Sequence, residues 1–174
     1  MAKTDSFFIR AKAAYDDAGT FNQVEIDLGS FVNLGISKST LLRILALQVG
    51  YRDSEGIFFP APTGVGKTAN CAWQLTTQSQ TALVDLADKS VIACGGLLAS
   101  TDAQTGGILQ FMTDVTDINP SSWTNGYLVG VDSIYLAVDG DADWISSFDV
   151  AVQIECVLEN ATQASSVALA LSQQ

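Results

Sequence analysis

Lys67 and Thr68 close the run APTGVGKT (61–68), which departs from the phosphate-binding pattern GxxxxGK[ST] only at its first position. In such a loop the backbone N–H groups of a glycine-rich turn point at the phosphates, the lysine reaches the outer phosphates and the threonine hydroxyl holds magnesium. On that reading Gly66, Lys67 and Thr68 bind a nucleotide, and the chain is a small P-loop NTPase. The chemistry also needs a strand leading in and a helix starting at Lys67–Thr68. The strand here is only GIFF (56–59), cut short by Pro60, and ANCAWQLTTQ (69–78) alternates like another strand. Thr76 and Thr77 further weaken a helix there. Asp132, at the end of LVGVD (128–132), is the candidate second acid, but Ser133 follows it and no arginine lies beyond Arg52 to stabilise a transferring phosphoryl group. The competing reading is an exposed turn between two strands, with Gly64 and Gly66 at positive φ and Lys67 solvated.

Three further groupings carry possible chemistry. DGDAD (139–143) sets Asp139, Asp141 and Asp143 at alternate positions, as the first half of a calcium loop does. Trp144 stands where such a loop needs its sixth-position glycine and Val150 where it needs its last glutamate, which excludes an EF-hand. A surface calcium site and a plain acidic turn are the two readings left. Glu155 and Glu159 share a strand face but lie about 13 Å apart along it, too far for a paired-carboxylate hydrolase and suited to a solvated face. Trp73, Trp123 and Trp144 could line a sugar platform, making the chain a carbohydrate-binding β-sandwich. The alternative is that they cover the ends of the fold or pack against other subunits. Cys71, Cys94 and Cys156 have no partner histidine anywhere in the chain, so a Cys–His nucleophile and a histidine-held metal are both excluded. Buried free thiols are expected.

Charge narrows the partners. The 174 residues carry a net charge of −11. All eight basic residues (Lys3, Arg10, Lys12, Lys38, Arg43, Arg52, Lys67 and Lys89) lie before position 90, together with nine acidic ones; ten acidic residues and no basic one follow. Such a surface repels phosphate backbones, so direct nucleic-acid binding is not expected. Neither a signal peptide nor a transmembrane helix is expected, because no apolar run has the length.

The elements that must hold these residues are mostly strands. FNQVEIDL (21–28) alternates Asn22, Val24, Ile26 and Leu28 against Gln23, Glu25 and Asp27. DVAVQIECVLE (149–159) alternates most clearly, CAWQLTTQ (71–78) and residues 7–13 do so too, and 41–52 and 127–138 read as deeply buried strands, the latter with a bend or bulge at Gly130. Segments 81–86, 107–113 and 165–171 are weaker strand candidates. The best helix candidate is 82–93, which also reads as a strand plus a turn. Polar turns separate these runs at 15–20, 33–40, 52–56, 60–67, 100–107, 118–126 and 139–143. Eight to ten strands with no strand–helix rhythm predict an all-β fold, an antiparallel β-sandwich or single jelly roll over 1–174, with 1–6 as an arm and 165–174 as a tail.

The run EIDLGSFVNLG…LLRILALQVGYRD (25–53), with its short arm, many strands, Thr/Gln/Ser-rich loops and apolar tail, resembles single jelly-roll virus capsid proteins. The arm MAKTDSFFIRAK has only Lys3, Arg10 and Lys12, unlike the arginine-rich arms that neutralise a genome. The resemblance is therefore better to coats of tailless icosahedral viruses with an internal membrane. It implies a non-enzymatic capsid subunit without a cofactor, self-assembling into an icosahedral shell within a virion assembled in the host cytoplasm. Its partners would be copies of itself, and a second coat protein or an internal viral membrane. No functional residues carry over. Phe58, Phe59, Trp123 and Trp144, as loop aromatics, are the expected interface anchors.

Overall fold

A computed structural model describes residues 5–16, 18–33, 39–53, 56, 60–113 and 118–173, with residues 110–113 described by their backbone only. The alternating runs fold into two antiparallel sheets. The first contains β1 (Phe7–Tyr15), β3 (Ser39–Arg52), β7 (Tyr127–Val129) and β9 (Phe148–Ala161), in the order β1-β9-β3-β7. The second contains β2 (Asn22–Asp27), β4 (Thr68–Thr76), β5 (Val91–Thr101), β6 (Ile108–Thr113) and β8 (Ser133–Gly140), in the order β2-β8-β4-β5-β6. The pairs nest: β1 with β9, β2 with β8, β3 with β7 and β4 with β5. That nesting is an eight-strand jelly roll, to which β6 adds a hairpin strand on the free side of β5.

Period-2 burial explains the pairing. On β9, Val150, Val152, Ile154 and Cys156 are buried, while the residues between them face outward. They meet Tyr51, Val49, Leu47 and Ile44 on β3 and Ala13, Ala11, Ile9 and Phe7 on β1. A one-residue bulge at Leu45 keeps both halves of β3 in phase with the core. Ile134, Leu136 and Val138 of β8 and Trp73 and Leu75 of β4 supply the opposing layer. A slip by one residue would turn each of these sets to solvent, so burial fixes the register.

Four sequence expectations need correction. The run 127–138 is two strands in different sheets, because the chain crosses the sandwich at Gly130–Asp132. Residues 81–86 are no strand and 82–93 no helix: residues 77–90 form a loop, and the strand begins at Val91. That loop lies across the outer face of the second sheet. Gln74 bonds both backbone groups of Val84, and Gln23 accepts from Ser79 and from the Gln80 N–H. Outward-facing Ala137, Gln74, Thr76 and Cys94 are buried as a result. The tail 165–171 is not a strand but part of α1 (Gln163–Ser172). Its apolar residues alternate in sequence, but Ala and Leu favour helix, and Thr162 caps the first turn by accepting from the Ser165 N–H. Ser166 bonds Ser39, and Gln173 bridges the Leu128 carbonyl and the Gly130 N–H, which dock the helix against one end of the sandwich.

Candidate functional site

The APTGVGKT segment is held as a turn between β3 and β4. Gly64 and Gly66 have φ of 84° and 65°, the left-handed region that glycine enters freely. The loop's N–H groups point into the protein. Thr63 donates to the Asp143 carbonyl, Gly66 to the Asp102 carbonyl and Lys67 to Thr101 Oγ1. Thr101 Oγ1 in turn donates to the Gly64 carbonyl at 2.9 Å. Thr68 opens β4, pairing with Ser100, where the phosphate loop needs a helix start. Three of the donors a phosphate cradle would use, the N–H groups of Thr63, Gly66 and Lys67, are therefore engaged in holding three loops together, and the positive end of a helix is not there to help the rest. The NTPase reading of Gly66, Lys67 and Thr68 is not supported. Lys67 Nζ lies 3.7 Å from Asp143, both side chains about half exposed, so the pair contributes little.

The acidic turn is similarly committed. Asp141 accepts from the backbone and side chain of Asn70, and from the Asp143 N–H. Asp139 accepts from the Gly140 N–H, and Asp143 faces Lys67. Tyr15, at the end of β1, donates its hydroxyl to the Asp141 carbonyl; burial, with Cys71 and the nearby carboxylates, pushes its pKa well up. Among the described residues no three His, Cys, Asp or Glu side chains, those of Asp139, Asp141 and Asp143 included, are grouped to hold a metal ion. The turn works as a structural clasp joining β1, β4 and β8.

The tryptophans separate. Trp73 faces the core from β4. Trp144 is 2% exposed, edge-on to Phe148 at 5.1 Å, and donates Nε1–H to the Asn70 carbonyl. It is therefore a core residue and not an interface anchor, and the sugar platform does not form. Trp123 follows the 3-10 turn Pro120–Ser122 and is 41% exposed, beside Tyr127 at 6.0 Å. Phe58 and Phe59 lie outside the described residues. Glu159 makes a two-pronged pair with Arg43, which holds its carboxyl below the ordinary range, first through the hydrogen bonds and then through charge. All three thiols are buried; burial pushes Cys71 and Cys156 up to about 12, with the nearby Asp139 and Asp141 adding to Cys71 and Glu155 to Cys156.

Sequence reasoning missed a surface of another kind. The outer face of the first sheet carries Arg10 and Lys12 from β1 and Arg43 and Arg52 from β3, four of the six described basic residues. The shared side of Arg10 and Lys12 follows from the alternation of residues 7–13, but the positions of Arg10 opposite Gln153 and of Arg52 opposite Asp149 were readable only once the pairing was known. The outer face of the second sheet carries Glu25 and Asp27 of β2 and Asp139 of β8, and its covering loop adds Asp85 and Asp88. The first sheet's outer face thus holds most of the described cations, offset by Asp149, Glu155 and Glu159, while carboxylates predominate on the second's.

No protein-family model matches this chain, and no curated protein matches it in sequence. Among solved structures it is similar to "Trichodysplasia spinulosa-associated polyomavirus (TSPyV) VP1", with a TM-score of 0.48 and 6% identity, covering 90% of this chain and 96% of that one. Among the described residues no helix is long and apolar enough to cross a membrane.

Proposed function

We propose that the chain is a virion coat subunit, a single domain that assembles with copies of itself into an icosahedral shell. The nested jelly-roll pairing carries the reading, as a fold-level analogy: the fold recurs in viral capsid, lectin and cupin domains. The histidine-held metal of a cupin site has no ligands in a chain without histidine, and Asp141 of the acidic turn is bonded internally to Asn70. The distribution of exposed apolar side chains also supports it. A shell subunit needs contacts in several directions, whereas a binary binder needs one patch. Phe8 lies on β1, Leu109 on β6, Leu86 on the covering loop, Trp123 before β7, and Val167 and Leu171 on α1, each 41–66% exposed. Leu109 belongs to an edge strand with no charge or proline to discourage pairing. Trp123, with Phe58 and Phe59, is the proposed aromatic contact set. A second coat protein or an internal membrane would complete the particle.

Electron microscopy of the purified chain tests this. Closed particles or discrete capsomers are expected, and Trp123→Ala should reduce their yield. Monomers alone at every protein concentration would refute it.

A further inference from the structure

We propose that the bare outer face of the first sheet is the socket for the acidic 85–88 loop tip of a second copy. The proposal rests on the coat-subunit reading and names one of its contacts. Three in-register rows cross the face: Arg10–Gln153–Gln48, Lys12–Ala151–Gly50 and Ala14–Asp149–Arg52. Beyond Lys12 the middle row has almost no side chain. Ala151 is exposed, and a Cβ built on Gly50 would meet nothing within 4 Å. The result is a shallow trough of 530 Å³ with an apolar floor and Arg10, Lys12, Gln48 and Gln153 on its walls. Asp149 and Glu159 partly offset Lys12 and Arg43. Even so, this face has four cations against three carboxylates, the third being Glu155, in a chain whose net charge is −11.

The complementary shape lies on the opposite side of the sandwich. Asp85, Leu86, Ala87 and Asp88 form an exposed tip on the covering loop, with Leu86 52% exposed between the two acids. The tip is already ordered. One oxygen of Asp85 accepts the Ala87 N–H, one of Asp88 accepts the Ser90 N–H and hydroxyl, and Gln74 pins Val84 to the sheet. Docking it therefore loses little conformational freedom. Leu86 matches the side-chain-free floor and the two carboxylates match Arg10 and Lys12. The exposed Lys89 beside the tip is its one opposing charge. Giver and receiver are different surfaces on opposite faces, so each copy can do both at once. Such a contact is heterologous: it builds a closed ring where its rotation closes and an open filament where it does not.

Two charge reversals test the contact by sedimentation velocity at about 0.15 M salt. Arg10→Glu with Lys12→Glu makes the trough acidic, and Asp85→Lys with Asp88→Lys makes the tip basic. Each double variant alone should self-associate roughly tenfold more weakly than the native chain. An equal mixture should recover native association, because each variant's tip then matches the other's trough. Asp85→Asn with Asp88→Asn keeps both turn caps and should weaken association several-fold, which separates charge from loop folding; circular dichroism checks each fold. If the native chain associates but the mixture does no better than its parts, or the variants associate like the native chain, this contact is wrong and the coat reading survives. A native chain that stays monomeric removes both.

Discussion

Thr101→Val is the sharpest perturbation of the APTGVGKT turn. Thr101 is 5% exposed. Its hydroxyl accepts the Lys67 N–H at 2.9 Å and donates to the Gly64 carbonyl at 2.9 Å. Valine keeps the shape and removes both bonds, each contributing about 1 kcal/mol. The expected loss is about 2 kcal/mol, a fall in Tm of roughly 4–8 °C for a chain of this size. Lys67→Ala removes only the exposed 3.7 Å pair with Asp143 and should stay within about 0.5 kcal/mol of the native chain. Differential scanning calorimetry of both variants, with and without magnesium–ATP, separates the structural turn from a phosphate loop. The structural turn predicts a large effect at Thr101, a negligible one at Lys67 and no Tm rise from the nucleotide. A harmless Thr101→Val, together with a nucleotide-dependent Tm rise that Lys67→Ala abolishes, would refute the reasoning.

Other expectations follow from the same contacts. Gln173→Ala removes two side-chain bonds, one donated to the Leu128 carbonyl and one accepted from the Gly130 N–H, and should speed amide exchange in α1 by about 30-fold while leaving β9 protected. Glu159→Gln should be less stable than the native chain at neutral pH. Because Arg43 lowers the Glu159 pKa in the folded state, its contribution is present above the unfolded carboxylate range and is lost as pH falls through the folded value, so the two chains should converge in acid. Denaturant titrations at neutral and acid pH check this, and added salt should shrink the difference. Cys71 and Cys156, buried and with their pKa pushed up to about 12, should resist a thiol reagent at pH 8 and react at once in guanidinium.

The strands were legible where one face alone is buried; β5, buried on much of both faces, went unread. In β9 and β2 every second residue is apolar or inward, and the structure keeps the phase read from sequence. Legibility failed where alternation and burial part company. Residues 127–138 read as one strand because both halves are apolar, and the crossing at Gly130 shows only in the sheet partners. VALAL in α1 alternates as a strand would, yet Thr162, Ser39 and Gln173 hold it as a helix through bonds that no local pattern announces. The doubts over APTGVGKT were justified by Pro60 and by the alternation after Thr68, which is β4. Trp144 was misjudged because a tryptophan in an acidic turn looks exposed, whereas Asn70 and Phe148 enclose it. The trough was hidden because Arg10, Gln48, Gly50 and Ala151 become neighbours only through the β1–β9–β3 register.

Self-assembly is the central claim, and sedimentation velocity of the purified native chain across salt tests it most directly. Raising salt from about 0.01 M to about 1 M shortens the Debye length from roughly 30 Å to 3 Å and screens the mutual repulsion of chains at −11. The account predicts discrete species far heavier than the 18.4 kDa chain, reached reversibly within that range. A single 18.4 kDa species throughout, at every protein concentration tried, would contradict it.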